Sequence, residues 1–245
     1  MRVLVLGATG LLGRHIVASA PEGVEVVGAS RTRPQSSLVE HKWLQLDLLD
    51  LSAVRMRITE LSPDVVIHAA GESRVDVARH DESAARASIV DGTSNLVDAL
   101  QSAPTKLVYV SSNAVFGETQ RAIYSDSPYG PVNAYGIFKV EAEQEVLTRL
   151  DKSLVVRPLL TYGWSSQHQR QNVVEIWLKE LLQGKEVRAL VDVSNQPLYA
   201  FDCASSIWSL TFGEETRIAN IGGPTELSMY SFALIVADVF GADRR

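Results

Sequence analysis

The chain has 245 residues, 46% hydrophobic and 21% charged, enough to bury a sizeable core as one large domain or as one domain carrying a smaller lobe. Its 23 Lys and Arg stand against 29 Asp and Glu, a net charge of −6 with no basic block interleaved with aromatics, which excludes nucleic acid as an expected partner. The single cysteine, Cys203, excludes an internal disulfide, the opening "MRVLVLGA" lacks a secretory pattern, and no apolar run reaches the ~18 residues of a membrane span, so a reducing cytoplasm is expected.

Short apolar runs alternate with stretches of helical period, the pattern of an α/β fold with a doubly wound parallel sheet. The first run, "RVLVLG", enters a turn with Gly7, Gly10 and Gly13, and a helix follows Gly10. Glycines at this junction let the backbone turn tightly, approach a pyrophosphate and pack helix on strand, while the helix start offers free N–H groups. Dinucleotide binding is the reading this context supports, against a bare strand-to-helix turn. The second run, "VEVVGAS", continues into "RTRP": Ser30, Arg31 and Arg33 stand where an Asp or Glu would accept from the ribose of NAD. Hydroxyl and guanidinium donors suit a 2′-phosphate, so NADP is preferred, with NAD as the alternative.

Four further strands are predicted at "WLQLD", "DVVIHAAG", "KLVYVSS" and "SLVVRPL", with helices around Leu51 to Leu61, Glu82 to Ser102 and Tyr135 to Leu150. In "NAYGIFKVEAE", Tyr135 and Lys139 are four apart and share a helix face. An ammonium near a phenol is expected to lower the phenol's pKa, making the tyrosine an acid or base near neutral pH. Ser112, at the carboxyl end of "KLVYVSS", is placed to hydrogen-bond a substrate carbonyl. After Leu160 the rhythm changes to the polar "TYGWSSQHQRQN" and the amphipathic "VVEIWLKELLQ", which marks a lobe boundary. "RIANIGG" reads as a returning strand and "LSMYSFALIVADVFG" as a final helix.

"GATGLLG", "HAAG", "VSSNAVFG" and the Tyr135/Lys139 pair together resemble an extended short-chain dehydrogenase/reductase. "PVNAYGIFKVEAE", "QPLYAFDCA" and "GGPTELSMYSFALIVADVFG" are most similar to its dTDP-4-dehydrorhamnose reductase branch. The resemblance implies a Rossmann domain over 1–159, rejoined by about 198–222, with a small substrate lobe over 160–197 and 223–245. It implies NAD(P) as cofactor and a nucleotide-linked sugar as substrate, and leaves a homodimer open. It assigns Ser112, Tyr135 and Lys139 as the catalytic triad: Tyr135 protonates the ketone oxygen, Lys139 holds the nicotinamide ribose, and Ser112 orients the carbonyl. It also implies cofactor contacts from Thr9, Leu11, Leu12, Asp47, Leu48, Ala69 and Ala70, and substrate contacts from Asn172 and Tyr199, which could instead satisfy loop backbone.

The sequence departs from that branch in several places. Ile89 occupies the place of an asparagine often found in the catalytic network, Leu160 and Trp164 replace an asparagine and a proline of related epimerases, and part of the usual lobe is missing after "VFGADRR". Two alternatives therefore remain. One is an epimerase or dehydratase that retains its cofactor. The other is a non-catalytic, NADP-binding regulatory subunit such as that of methionine adenosyltransferase. His15, His41, His68, His80 and His168 have no metal-ligand spacing, so no metal is expected. His68 is read as structural or cofactor-facing, Trp177 as core, and Asp81 with Glu82 as favourable charge at a helix start.

Overall fold

The computed structural model describes residues 1–32, 42–72, 75–117, 122–165, 171–213 and 216–242. β1 (Arg2–Leu6) leads through the glycine turn into α1 (Leu11–Ala18), then β2 (Glu25–Ser30), β3 (Lys42–Gln45), α2 (Leu51–Leu61) and β4 (Val65–His68). Next come α3 (Val75–His80) and α4 (Glu82–Arg86), whose rod continues through a π turn (Ala87–Asp91) into α5 (Gly92–Leu100). β5 (Lys106–Val110), α6 (Ala134–Arg149) and β6 (Ser153–Pro158) follow. The rest comprises β7 (Thr161–Tyr162), α7 (Val173–Leu182), β8 (Ser194–Asn195), β9 (Leu198–Tyr199), α8 (Ala200–Phe212), β10 (Ile218–Ile221), β11 (Leu227–Ser228) and α9 (Met229–Val239).

Seven strands form one sheet in the order β10-β6-β5-β4-β1-β2-β3, every neighbouring pair parallel. This is the doubly wound sheet expected from the alternating pattern. Chain progress reverses direction between β1 and β4, and a crevice opens at the carboxyl ends of those strands. The expected returning strand is β10, which extends the sheet beyond β6.

Alternation along β1 explains the two main cores. Leu4 and Leu6 face one side, packed with Val54 of α2, Leu96 and Leu100 of α5, and Ala142 and Val146 of α6. Val3 and Val5 face the other, with Ile16 of α1 and Ile207 and Trp208 of α8. Trp208 Nε1 also donates to the Ile16 carbonyl at 2.9 Å, which fastens α8 to α1. A third cluster joins Val174 and Trp177 of α7 to Phe232 and Val236 of α9, so Trp177 is indeed core.

Sequence reading had no helix over 200–212. Cys203, Ala204, Ile207, Trp208 and Thr211 do recur at helical spacing, but small and polar members dilute the apolar signal. Among the described residues, no helix is long and apolar enough to cross a membrane.

Candidate active site

A cavity of about 480 Å³ lies along the carboxyl ends of the strands. Gly7, Thr9 and Gly10 line it beneath the start of α1. Gly7 has φ +77°, and a Cβ on Gly13 would sit 2.1 Å from the Gly7 carbonyl oxygen, so these two positions close the turn against itself. Gly10 is the N-cap of α1 and makes no side-chain cap bond, which leaves early amide groups of α1 available to an anion. Gly13, Leu11 and Leu12 belong to α1 and are not among the residues lining the cavity.

Ser30 and Arg31 line the cavity at the end of β2. The Ser30 hydroxyl donates to the Thr32 carbonyl, and Gln45 Nε2 donates to the Arg31 carbonyl at 2.8 Å, so the backbone here is held while the exposed Arg31 guanidinium extends from it. Arg33 lies outside the described residues, as do His41 and His168. Asp47 accepts from the Leu49 amide at 3.0 Å, and with Leu48, Ala69 and Ala70 it lines the same cavity.

Ser112, which like Tyr135 and Lys139 is not among the residues lining that cavity, follows β5 and caps a short 3₁₀ turn, accepting from the Ala114 amide at 3.2 Å. Asn133 caps α6 by accepting from the Gly136 amide at 2.9 Å, which starts the helix with Tyr135 in its first turn. A Cβ at Gly136 would lie 2.2 Å from the Ala114 carbonyl oxygen, so glycine there lets α6 approach the turn that carries Ser112. The Ser112 hydroxyl is near enough to the Tyr135 phenol to influence its protonation. Lys139 is 5% exposed, with Nζ 5.9 Å from the Tyr135 ring centroid. It donates to Tyr109 Oη at 3.2 Å and to the Val110 carbonyl at 3.1 Å.

Burial sets the protonation of this group. It pushes the Lys139 ammonium down to about 8, with the Glu143 carboxylate opposing the change. Burial also raises the Tyr135 phenol above its usual value, while the nearby Ser112 hydroxyl opposes that rise and the Glu72 charge adds to it. The expectation that the lysine would lower the tyrosine is thus reversed in direction, because desolvation of the phenolate is the larger effect.

Behind Lys139 lies a buried ion pair that sequence reasoning missed. Arg157 and Glu143 are 1% and 0% exposed at the side chain and meet at 2.6 Å. Arg157 also donates to the Ser125 carbonyl at 3.0 Å and to Tyr129 Oη at 3.1 Å, and Tyr129 donates to Glu143 at 2.8 Å, which fixes the segment leading to Tyr135. The available signal was spacing: Tyr135, Lys139 and Glu143 recur every four residues on one face of α6.

Substrate-side expectations fall differently. The Asn172 side chain accepts from the Val174 amide at 3.1 Å and donates to the Gly163 carbonyl at 2.5 Å and to Glu175 at 2.6 Å, closing a capping box at the start of α7. Tyr199 packs its ring edge-on to His15 and tilted against Tyr162, each at 5.9 Å between centroids. Asp81 caps α4 by accepting from the Ala84 amide at 2.9 Å, in line with a helix-start role. His68 is buried and bonded to Thr93.

All 245 residues, 1–245, match the family described as the RmlD substrate binding domain. The chain is 31% identical over 247 residues to methionine adenosyltransferase 2 subunit beta of Xenopus tropicalis, covering 98% of this chain and 72% of that one. It is 28% identical over 248 residues to a dTDP-4-keto-6-deoxy-D-glucose reductase of Streptomyces niveus, covering 99% and 80%. A solved dTDP-4-dehydrorhamnose reductase of Clostridium acetobutylicum superposes with a TM-score of 0.87 at 25% identity, covering 100% of this chain and 82% of that one. With the match running from first residue to last on the fold just described, the chain belongs to the RmlD branch of the extended short-chain dehydrogenase/reductases.

Proposed function

We propose that this protein is an NADP-preferring oxidoreductase that reduces a keto group on a nucleotide-linked sugar. The observation that carries the reading is a buried Tyr135 whose phenol desolvation keeps protonated, with Lys139 Nζ 5.9 Å from its ring, in the same molecule as a crevice lined by the glycine turn. A tyrosine held above its usual pKa keeps its proton at neutral pH, the state a reductase needs in its acid.

The donor set fits the cofactor. Gly7, Thr9 and Gly10 at the start of α1 suit the pyrophosphate, Asp47 and Leu48 the adenosine, Arg31 a 2′-phosphate, and Ala69 and Ala70 the wall between. Bound there, the dinucleotide supplies a hydride to the carbonyl carbon. Ser112 orients the carbonyl oxygen, Tyr135 Oη–H gives that oxygen its proton, and Lys139 holds the nicotinamide ribose and stabilises the phenolate left behind. Tyr199 is the polar group best placed by resemblance to meet the sugar, whereas the bonds made by Asn172 favour a structural role.

The likeness to methionine adenosyltransferase 2 subunit beta favours a second reading, a cofactor-holding subunit of another enzyme. Incubating the purified protein with NADPH and a panel of nucleotide-linked 4-keto sugars, and measuring net NADPH oxidation, tests the first reading. Turnover of at least one substrate is expected. Tight NADPH binding without turnover, together with a stable complex with methionine adenosyltransferase, would replace it with the second.

A further inference from the structure

We propose that Arg157 is a positioning residue that holds the turn carrying Ser112 and the start of α6 carrying Tyr135 in one fixed register. The inference rests on the reading of Ser112 and Tyr135 as the groups that meet the substrate carbonyl.

Arg157 lies two residues after Val155 on β6, so it points to the same face of the sheet, toward α6. Glu143, one turn beyond Lys139 on α6, meets the buried guanidinium with both oxygens: Nε donates to Oε1 at 2.9 Å and Nη2 to Oε2 at 2.6 Å. That pairing satisfies the charge. The remaining donors reach a different part of the chain, Nη1 donating to the Ser125 carbonyl at 3.0 Å and Nη2 to Tyr129 Oη at 3.1 Å. Tyr129 gives its one hydroxyl hydrogen to Glu143 at 2.8 Å, which leaves its lone pairs to accept from the arginine.

The same guanidinium lies over the Phe116 ring at 5.0 Å and over the Tyr129 ring at 5.2 Å, within the range of cation–π attraction. Phe116 closes the turn that Ser112 caps, and Tyr129 stands in the segment that enters α6 just before Tyr135. One planar group therefore touches both segments. Between them runs a backbone seam: the Gly130 amide donates to the Val115 carbonyl at 3.0 Å, and a Cβ at Gly117 would lie 2.6 Å from the Gly130 carbonyl oxygen. Gly117 and Gly130 bring no side chains to this seam. The residues immediately before them, Phe116 and Tyr129, are the two that Arg157 grips. A lysine could pair with Glu143, but a single point of charge does not span Ser125, Tyr129 and both rings. Without the guanidinium the seam is free to slip, and a small shift between Ser112 and Tyr135 is enough to spoil their alignment on one carbonyl.

The test uses Arg157→Leu combined with Glu143→Met, which leaves neither charge of the pair buried. Amide hydrogen exchange by NMR reads the seam, and kinetics with NADPH calorimetry read its consequence. Exchange at the Gly130 amide is expected to quicken at least tenfold relative to that of Val5 in β1. NADPH is expected to bind at about one per chain with affinity within about twofold, while kcat falls roughly tenfold to a hundredfold. Adding Ser112→Ala to this variant should cost much less than it costs in the wild type, because the alignment it removes is already lost. A pair that only stabilises the fold would instead lower the fraction of chains that bind NADPH and leave the Ser112→Ala effect undiminished. Unchanged exchange at Gly130, wild-type kcat despite faster exchange, or a full Ser112→Ala effect in the variant overturns the proposal. If the wild type turns over no keto sugar, the functional reading fails instead, and exchange at Gly130 alone decides whether Arg157 holds the seam. Should the double variant not fold, Tyr129→Phe, which keeps the ring and removes the hydroxyl, carries the same test, with exchange at Gly130 expected about threefold faster.

Discussion

At the glycine end of the crevice the critical contacts are between backbones, Gly13 against Gly7 and Gly7 against Ala69, whereas at the tyrosine end they are between side chains enclosed in the core. Among the described residues, no charged side chain lining the glycine end of the cavity is buried, and an anion there would be met by amide groups already fixed by helix geometry. The tyrosine end carries Lys139, Glu143 and Arg157 in or beside the hydrophobic core, each held by named partners. A backbone cradle tolerates most chemistry around it but no added volume. A side-chain network tolerates volume better than the loss of a single polar atom.

The largest expected effect is at the tyrosine end. Tyr135→Phe keeps the ring and removes the proton, which should lower kcat roughly a hundredfold to ten-thousandfold while NADPH affinity stays within about twofold. Steady-state kinetics with calorimetry on the same preparation check it, and wild-type turnover in the variant would remove Tyr135 from the chemistry.

Arg157→Leu comes next. It leaves the Glu143 carboxylate buried without its guanidinium and is expected to cost about 3–5 kcal/mol of stability, read in a denaturant titration. Adding Glu143→Met should recover much of that loss, since the penalty is the unpaired charge. No recovery would mean that packing of the arginine stem is what matters.

At the glycine end, Gly13→Ala places a methyl within contact of the Gly7 carbonyl and should lower stability by roughly 1–3 kcal/mol and weaken NADPH and NADH alike. Arg31→Ala should do the reverse of that uniform loss, weakening NADPH about tenfold and leaving NADH unchanged, the modest size reflecting an exposed guanidinium. Calorimetry with both cofactors separates the two behaviours, and equal losses in Arg31→Ala would count against a 2′-phosphate contact.

The same contrast explains what was legible in the sequence. Glycine spacing after an apolar run is a direct record of backbone proximity, so the turn could be read from the sequence, and the apolar runs marked the seven strands of the sheet. The Arg157–Glu143 pair could not, because nothing in a sequence says which of its charges are buried, and these two lie on separate elements, β6 and α6. The direction of the Tyr135 shift was misread for a related reason: spacing reveals the nearby lysine but not the desolvation that outweighs it. Asn172 illustrates a third limit. A polar residue ahead of an amphipathic run is as suitable for a capping box as for a ligand, and its bonds to Val174, Gly163 and Glu175 are local ones that spacing does not distinguish.

The central claim, that the crevice delivers hydride while Tyr135 delivers the proton to one carbonyl, is tested most directly with NADPH deuterated at the transferable position and a nucleotide-linked 4-keto sugar. The account predicts one deuterium on the former carbonyl carbon for each NADPH consumed, abolished or slowed at least a hundredfold in Tyr135→Phe. Product carrying no deuterium, or sugar converted with no net loss of NADPH, would contradict it.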